Sequence, residues 1–591
     1  MRNEHPEAVR FADRELGFSG VFAYPERMAP IALRTVAVGL ACALVVVPLG
    51  GSSEPTRARS GMVVASDGVA ARIGLDALRA GGSAVDAAVA TAFALAVTLP
   101  AAGNIGGGGF LVHRAADGSA VAYDFRETAP AAAAPEMFVS GGVYDARRHH
   151  DSHVAVGVPG SVAGLHRAWT DHGRLPWRRL VDPAIGLARD GFVLSHARAA
   201  SLAGALPAMA RYPASVAAFS KAGVPYAAGE RFRQPDLAVT LERIADDGPD
   251  GFYRGRTAAL MAREMAAQGG LITEADLAAY QPRAREPIRG AYRGYEVLSM
   301  PPPSSGGVTL VQMLNVLEGY DLRAAGHGSA LNVHRIAEAM RRGFADRARH
   351  LGDPDFNPSM PVRRLTSKDY AAGLRATIDA ERASRSGPET FEWPAAGNET
   401  THVSVVDAER NAVALTTTLE QSYGSKIVVP GAGFLLNNEM GDFNAAPGMT
   451  TATGLIGTPP NLAAPGKRML SSMTPAIVAR EGRLVMVTGS PGGRTIINTV
   501  LHTILNVIDF DMNVQEAVDA PRFHHQWLPD EIRYERHGLS PDTVALLEAR
   551  GHALAVRARQ GAAHAIALDP AADVLEGAAD PRRADAAAAG Y

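Results

Sequence analysis

Glu399-Thr400-Thr401-His402-Val403-Ser404-Val405-Val406-Asp407 sets a threonine at the mouth of a strand, where a peptide bond could cut itself. The alternating Val403-Ser404-Val405 predicts a strand with one buried face. Ala412-Val413-Ala414-Leu415-Thr416-Thr417-Thr418-Leu419 predicts its partner across a polar turn. Centring that turn on Glu409 pairs Val406 with Ala412 and Thr400 with Thr418 in antiparallel register. Directly opposed residues stand about 5 Å apart, so two hydroxyls would face each other at the strand mouth. Taken alone, the segment reads best as a Thr–Thr pair in an ordinary hairpin.

The second half of the chain changes that balance. Arg468-Met469-Leu470-Ser471-Ser472-Met473-Thr474-Pro475 is followed by Leu484-Val485-Met486-Val487-Thr488-Gly489-Ser490-Pro491-Gly492-Gly493-Arg494-Thr495 and an apolar run through Val507. The pattern predicts strand, glycine-rich turn, helix. N–H groups at such a turn point outward and favour negative charge, whether a ligand anion or a developing oxyanion. No Gly-Lys-Ser/Thr ending follows the glycines, so this is not a phosphate loop. Ser490 follows Gly489 directly, which is not a Gly-x-Ser-x-Gly elbow, and Ser490 is a poor candidate nucleophile.

Together these segments resemble the gamma-glutamyltranspeptidase family. Thr400-Thr401-His402 is similar to the start of that family's small subunit, and Leu435-Leu436-Asn437-Asn438-Glu439-Met440-Gly441-Asp442-Phe443 to its substrate-amine motif. Leu470-Ser471-Ser472-Met473, Gly489-Ser490-Pro491-Gly492-Gly493 and Ala520-Pro521-Arg522-Phe523-His524-His525-Gln526-Trp527 follow in the family's order. Upstream, Gly103-Asn104-Ile105-Gly106-Gly107-Gly108-Gly109-Phe110 and Tyr123-Asp124-Phe125-Arg126-Glu127 also match, so the resemblance runs from about Ala58 to Tyr591.

A chain of 591 residues, 47% hydrophobic and 20% charged, has ample material for a large core, and its length alone would suggest several domains. The resemblance instead implies one intertwined α+β fold, the N-terminal nucleophile hydrolase four-layer αββα sandwich. Both halves of a self-processed precursor would contribute strands to it. A net charge of -3 without a long basic run gives no electrostatic footprint for nucleic acid.

The single cysteine, Cys42, lies in the apolar stretch 35–47, between Arg34 and Pro48. That is the layout of a secretory signal, and Met28 would begin one of ordinary length. The alternative is an uncleaved anchor, which the short apolar core disfavours. Removal of the segment would leave no thiol, no disulfide and no cysteine-based metal site. The expected divisions are therefore 1–53 as N-terminal extension and signal, 54–399 as large subunit and 400–591 as small subunit. Export to the periplasm or medium follows from the first.

The stretch 82–95, rich in small residues, predicts a core helix, and 301–307 a rigid loop opening a helix through Leu317. The glycines 106–109 precede a strand, so they predict close backbone packing and not a dinucleotide site. Residues 380–398 are polar and small, as a mobile tail before a cleavage point would be. His149-His150 and His524-His525 lack the i, i+4 spacing and carboxylate companions of a helical zinc site and read as structural. No cofactor or metal is implied.

An N-terminal threonine joins a hydroxyl nucleophile to its own general base, the freed amine. The resemblance implies that Thr400 gains that amine by attack of its hydroxyl on the Glu399 carbonyl and hydrolysis of the resulting ester. Mature Thr400 would then attack the γ-amide of a γ-glutamyl donor such as glutathione, with Thr418 orienting it and Gly492 and Gly493 holding the oxyanion. Water or an amino acid or peptide amine would receive the glutamyl group. The resemblance assigns Arg126, Ser471 and Ser472 to the donor's carboxylate, and Asp442, Glu439 and Glu420 to its ammonium. Some family members carry Asn and Gln where this chain has Glu420 and Glu439, so a more negative site is expected. Thr453, within a lid-like segment 447–464, stands where some members have a gating Tyr.

Two rivals remain at this stage. One is an acylase of the same fold for glutaryl-type side chains, which would leave Asp442 without an ammonium partner. The other is a non-catalytic periplasmic binding protein that stays one chain.

Overall fold

The computed structural model describes residues 53–387, 400–449 and 457–591. Two seven-stranded antiparallel sheets organise them. The first runs, edge to edge, Ala587–Gly590, Met62–Ala65, Thr400–Val406, Ala412–Thr418, Gly108–Arg114, Ala120–Phe125 and Arg283–Arg285. The second runs Thr56–Ala58, Val574–Ala579, His564–Asp569, Arg483–Gly489, Ala476–Arg480, Tyr295–Ser299 and Ile288–Tyr292. Each sheet takes strands from both sides of position 400, so neither half of the chain can close its core without the other. Residues Ser52–Tyr591 accordingly form one compact unit, against the prior set by length.

The layers follow from burial. Val64, Phe110, Ala414, Ile477, Val487 and Ile566 form a core between the sheets. The helix Ala84–Thr98, buried at every position, packs with Val403, Val405 and Leu415 on the outer face of the first sheet. Its N-terminus is closed by a capping box in which Ser83 and Asp86 satisfy each other's backbone N–H. The helices Gly306–Leu317, Ala330–His350 and Thr495–Phe510 pack with Val478 and Met486 on the outer face of the second. The result is the four-layer αββα arrangement.

The hairpin forms in the expected register, Val406 opposite Ala412 and Thr400 opposite Thr418. One expectation fails. The strand Thr400–Val406 is buried on both faces, not one, because it lies centrally in a sheet covered by helices on one side and by the second sheet on the other. Its polar face is hydrogen-bonded instead of solvated: His402 Nδ1 lies 2.8 Å from Thr416 Oγ1, and Ser404 Oγ donates to the His564 carbonyl at 3.0 Å.

The glycines 106–109 pack as expected: a Cβ on Gly107 would stand 2.1 Å from the Thr418 carbonyl oxygen. The first part of the expected mobile tail is instead docked. Ser384 N donates to Glu338 at 3.1 Å and Ser386 N to Asp530 at 2.8 Å, since the long helix Ala330–His350 presents Glu338, Arg341 and Arg342 to it. Glu399, the apolar stretch 35–47 and Thr453 lie outside the described residues.

Candidate active site

Strand alternation puts Thr400 on the same face as His402 and Ser404, toward the second sheet. Thr400 Oγ1 stands 3.4 Å from Thr418 Oγ1, which also accepts the Glu420 N–H at 2.8 Å. Across the sandwich, the strand Arg483–Gly489 passes so close that a Cβ on Gly489 would lie 2.2 Å from the His402 ring. That approach carries the turn after Gly489 over the strand mouth. Gly492 and Gly493 adopt φ of +135° and +56°, conformations that favour glycine. Their carbonyls accept the first N–H groups of the helix Thr495–Phe510, from Thr495 at 3.1 Å and Ile496 at 3.2 Å. Among the described residues neither glycine N–H is donated to a protein acceptor, and Gly493 borders the same small cavity as Thr400 and Thr418. Ser490 is spent structurally, its hydroxyl accepting from Ala562 N at 2.9 Å and donating to the Pro491 carbonyl.

One wall of the cavity is anionic. Arg126, fully buried, bonds Glu439, reaches Asp442 Oδ2 at 2.5 Å and stands 3.5 Å from Glu127. Burial works against its charge, but Glu439 and then Asp442 more than restore it. Burial pushes Glu127 up to about 7, against the pull of Arg126, and neither of its oxygens has a hydrogen-bond partner. Glu439 is driven well above, and Glu420 above, the ordinary carboxylate range, again first by burial. His150 Nδ1 lies 3.6 Å from Glu420 Oε1; its burial is outweighed by that carboxylate, which raises the imidazole.

Another part of the lining is cationic. Arg347 donates to Ser472 Oγ at 2.9 Å and to Ser305 Oγ at 2.6 Å, while Ser471 Oγ accepts from Met473 N at 3.1 Å. Burial lowers Arg347 to about 9 and pulls Arg494 well below the arginine range, with Arg347 as the next cause.

Thr400, Thr418, Gly493, Arg126, Glu420, Glu439, Asp442, Ser471 and Ser472 thus border one cavity, and Gly492 stands at its rim, facing a neighbouring cavity. The arrangement departs from expectation in two ways. Arg126 and Asp442, assigned to opposite ends of a ligand, are paired with each other, because buried charges demand compensation. His150, read as structural, stands 3.6 Å from Glu420, whereas His149, His524 and His525 are bonded to Tyr144, Asn498 and Asp530 respectively. Arg347 and Arg494 were missed. Arg494 adjoins the glycine turn and could have been suspected; Arg347, on a distant helix, carried no local signal.

Among the described residues one group has converging metal-ligand atoms, His334, Glu338 and His552. Glu338 is already held by Arg341 and Arg342 and the two imidazoles bond each other at 2.8 Å, so the group serves the docked tail.

Residues 70–590 match the family described as gamma-glutamyltranspeptidase. The chain is 48% identical to the glutathione hydrolase proenzyme of Escherichia coli over 91% of its own length and 93% of that protein's. Its fold matches the crystal structure of a cephalosporin acylase from Bacillus halodurans with a TM-score of 0.80 at 27% identity, covering 92% of this chain and 98% of that one. It also matches the Helicobacter pylori gamma-glutamyltranspeptidase with a TM-score of 0.53 at 44% identity, over 56% of this chain and 94% of that one. With the N-terminal nucleophile hydrolase sandwich and a family match over nearly its whole length, the chain belongs to the gamma-glutamyltranspeptidase family of γ-glutamyl hydrolases and transferases.

Proposed function

We propose that Thr400 is the nucleophile of a glutathione hydrolase and γ-glutamyltransferase that matures by cutting its own Glu399–Thr400 bond. The observation that carries this reading is the meeting of Thr400, Thr418 and Gly493 in one cavity with the carboxylates Glu420, Glu439 and Asp442. In the precursor, the Thr400 hydroxyl adds to the Glu399 carbonyl, the amide nitrogen leaves as the new α-amine, and water hydrolyses the ester. Residues 54–399 and 400–591 then remain associated as two subunits through the shared sheets. The word proenzyme in the name of the Escherichia coli relative is in keeping with this order.

In the mature enzyme the Thr400 amine takes the hydroxyl proton as Oγ1 attacks the donor's γ-carbonyl carbon. Thr418 fixes the hydroxyl by its hydrogen bond. The Gly492 and Gly493 N–H groups receive the oxyanion, a contact worth about 3 kcal/mol per donor. Collapse expels the amine half of the donor, protonated by the Thr400 amine, and leaves a γ-glutamyl ester. Water or an amino acid or peptide amine then takes the acyl group. The donor's ammonium replaces Arg126 as partner of Asp442 and Glu439 and gains Glu420 beside them, and its carboxylate takes Arg126 with Ser471 and Ser472.

The test is a gel of purified protein, N-terminal sequencing of the smaller band, and kinetics on a γ-glutamyl anilide beside its glutaryl counterpart. A band beginning Thr400-Thr401-His402 and preference for the γ-glutamyl compound are expected. Full activity in an uncut chain would sink the mechanism, and preference for the glutaryl compound would favour an acylase. We further propose export directed by the stretch 35–47. An intact Met1 or Met28 terminus found only in the cytoplasmic fraction by mass spectrometry would refute it.

A further inference from the structure

The glycine turn borders a second and larger cavity, of about 450 Å³. Six arginines line it, Arg494, Arg533, Arg557, Arg559, Arg582 and Arg583, and among the described residues no carboxylate does. Three acids stand behind that wall. Glu531 takes Arg533 at 2.8 Å and Arg557 at 3.0 Å, Glu535 takes Arg582 at 2.6 Å, and Asp580 is shared between Arg582 and the buried Arg522. Glu531 serves two of these arginines and Asp580 is shared with Arg522, so the arginines outnumber the acids behind them, and a concave wall concentrates their field on the enclosed space.

Position gives this charge a use. Gly492 and Arg494 line the arginine cavity, while Gly493 and Arg494 line the cavity of Thr400. Arg494, 9% exposed, is thus the partition between them. A carbonyl carbon held at Thr400 with its oxygen toward the turn has its acyl chain among Glu420, Glu439 and Asp442. Its other substituent, the nitrogen that leaves or attacks, points toward the partition.

We infer that the arginine cavity receives the amine half of the substrate and selects amines that carry two or more carboxylates, glutamate being the simplest. The inference rests on the proposed function and adds to it the chemical class of leaving group and acceptor. Arginine forks are suited to carboxylates, which they bind through paired N–H groups. A neutral or cationic side chain gains nothing there, and a lysine-type amine is repelled.

The experiment compares kcat/KM for γ-glutamyl-glutamate, γ-glutamyl-glutamine and γ-glutamyl-lysine at low and high salt, with a γ-glutamyl anilide as the substrate whose leaving group has no carboxylate. The wild type is expected to favour the glutamate compound over the glutamine compound by about tenfold at low salt, as one charge-assisted contact would give. The preference should shrink at high salt, because exposed charges are screened. In the Arg557→Ala, Arg559→Ala variant the ratio should fall toward one; both residues are exposed, so folding is not at stake. A wild-type ratio of one or less, or a ratio untouched by the double substitution, overturns the inference while anilide turnover leaves the proposed function standing. Absence of turnover on every γ-glutamyl compound overturns both.

Discussion

Arg126 Nη2 stands 2.5 Å from Asp442 Oδ2, and the same guanidinium bonds Glu439, so the cation and the anions that a zwitterionic ligand would separate close on one another. Arg126 and Glu439, both buried, thereby keep partners, which burial requires. A ligand bringing both an ammonium and a carboxylate offers each side a replacement. One bringing only a carboxylate takes Arg126 and strands Asp442. This exchange favours a γ-glutamyl group over a glutaryl one.

Asp442→Asn should therefore raise KM for a γ-glutamyl anilide by about 10- to 100-fold, the loss of one charge-assisted contact. The glutaryl counterpart should be affected much less. Steady-state kinetics on both substrates decide; equal losses on the two would show that Asp442 does not read the ammonium.

Thr400→Ala should remain a single chain without activity. Thr418→Val should still be processed, more slowly, with kcat down about tenfold, as expected for a lost orienting hydrogen bond of about 1.4 kcal/mol. Gels over time and single-turnover kinetics measure the two effects. An unchanged kcat in Thr418→Val would remove that residue from the mechanism.

Gly489→Ala should destabilise the protein by at least about 1–3 kcal/mol, because its methyl group would stand 2.2 Å from the His402 ring between two packed sheets. Gly186→Ala is the matched control. It lies within the helix Trp177–Asp190 with nothing inside 4 Å of the added carbon, and should stabilise by about 0.5–1 kcal/mol. Thermal melts of the two variants should move in opposite directions from the wild type.

Glu127, pushed up to about 7, binds its proton more tightly folded than unfolded. Between the ordinary carboxylate value and about 7 the native state holds more protons, so stability falls as pH rises through that window and the loss is complete above it. Glu127→Gln removes this penalty. It should stabilise the protein by on the order of 2–3 kcal/mol at pH 8 and have little effect at pH 4. Denaturant titrations at the two pH values test it; an effect independent of pH would place the proton on a neighbouring carboxylate.

The hairpin was legible in the sequence because its information is local. Apolar alternation, a polar turn and a fixed pairing distance specify that Thr400 faces Thr418. The glycine turn was legible for the same reason, strand and helix periodicities flanking residues that tolerate positive φ. Of the ten site residues expected from the motifs of the resemblance, nine border one cavity.

What local pattern could not decide was which charges meet. Arg347 reaches Ser472 from a helix more than a hundred positions upstream, and His150 reaches Glu420 across the fold. The arginine cavity gathers side chains from the segments around Arg494, Arg533, Arg559 and Arg583, none of which forms a basic run by itself. The two-sided burial of the strand Thr400–Val406 likewise depends on the second sheet lying over it. Sequence alone determined the threonine, its hairpin and the turn that faces it, since neighbours along the chain impose those. Tertiary packing decided the pairing of Arg126 with Asp442 and the gathering of the arginines, because electrostatic partners are set by distance through space and the sheets are closed by strands far apart in the chain.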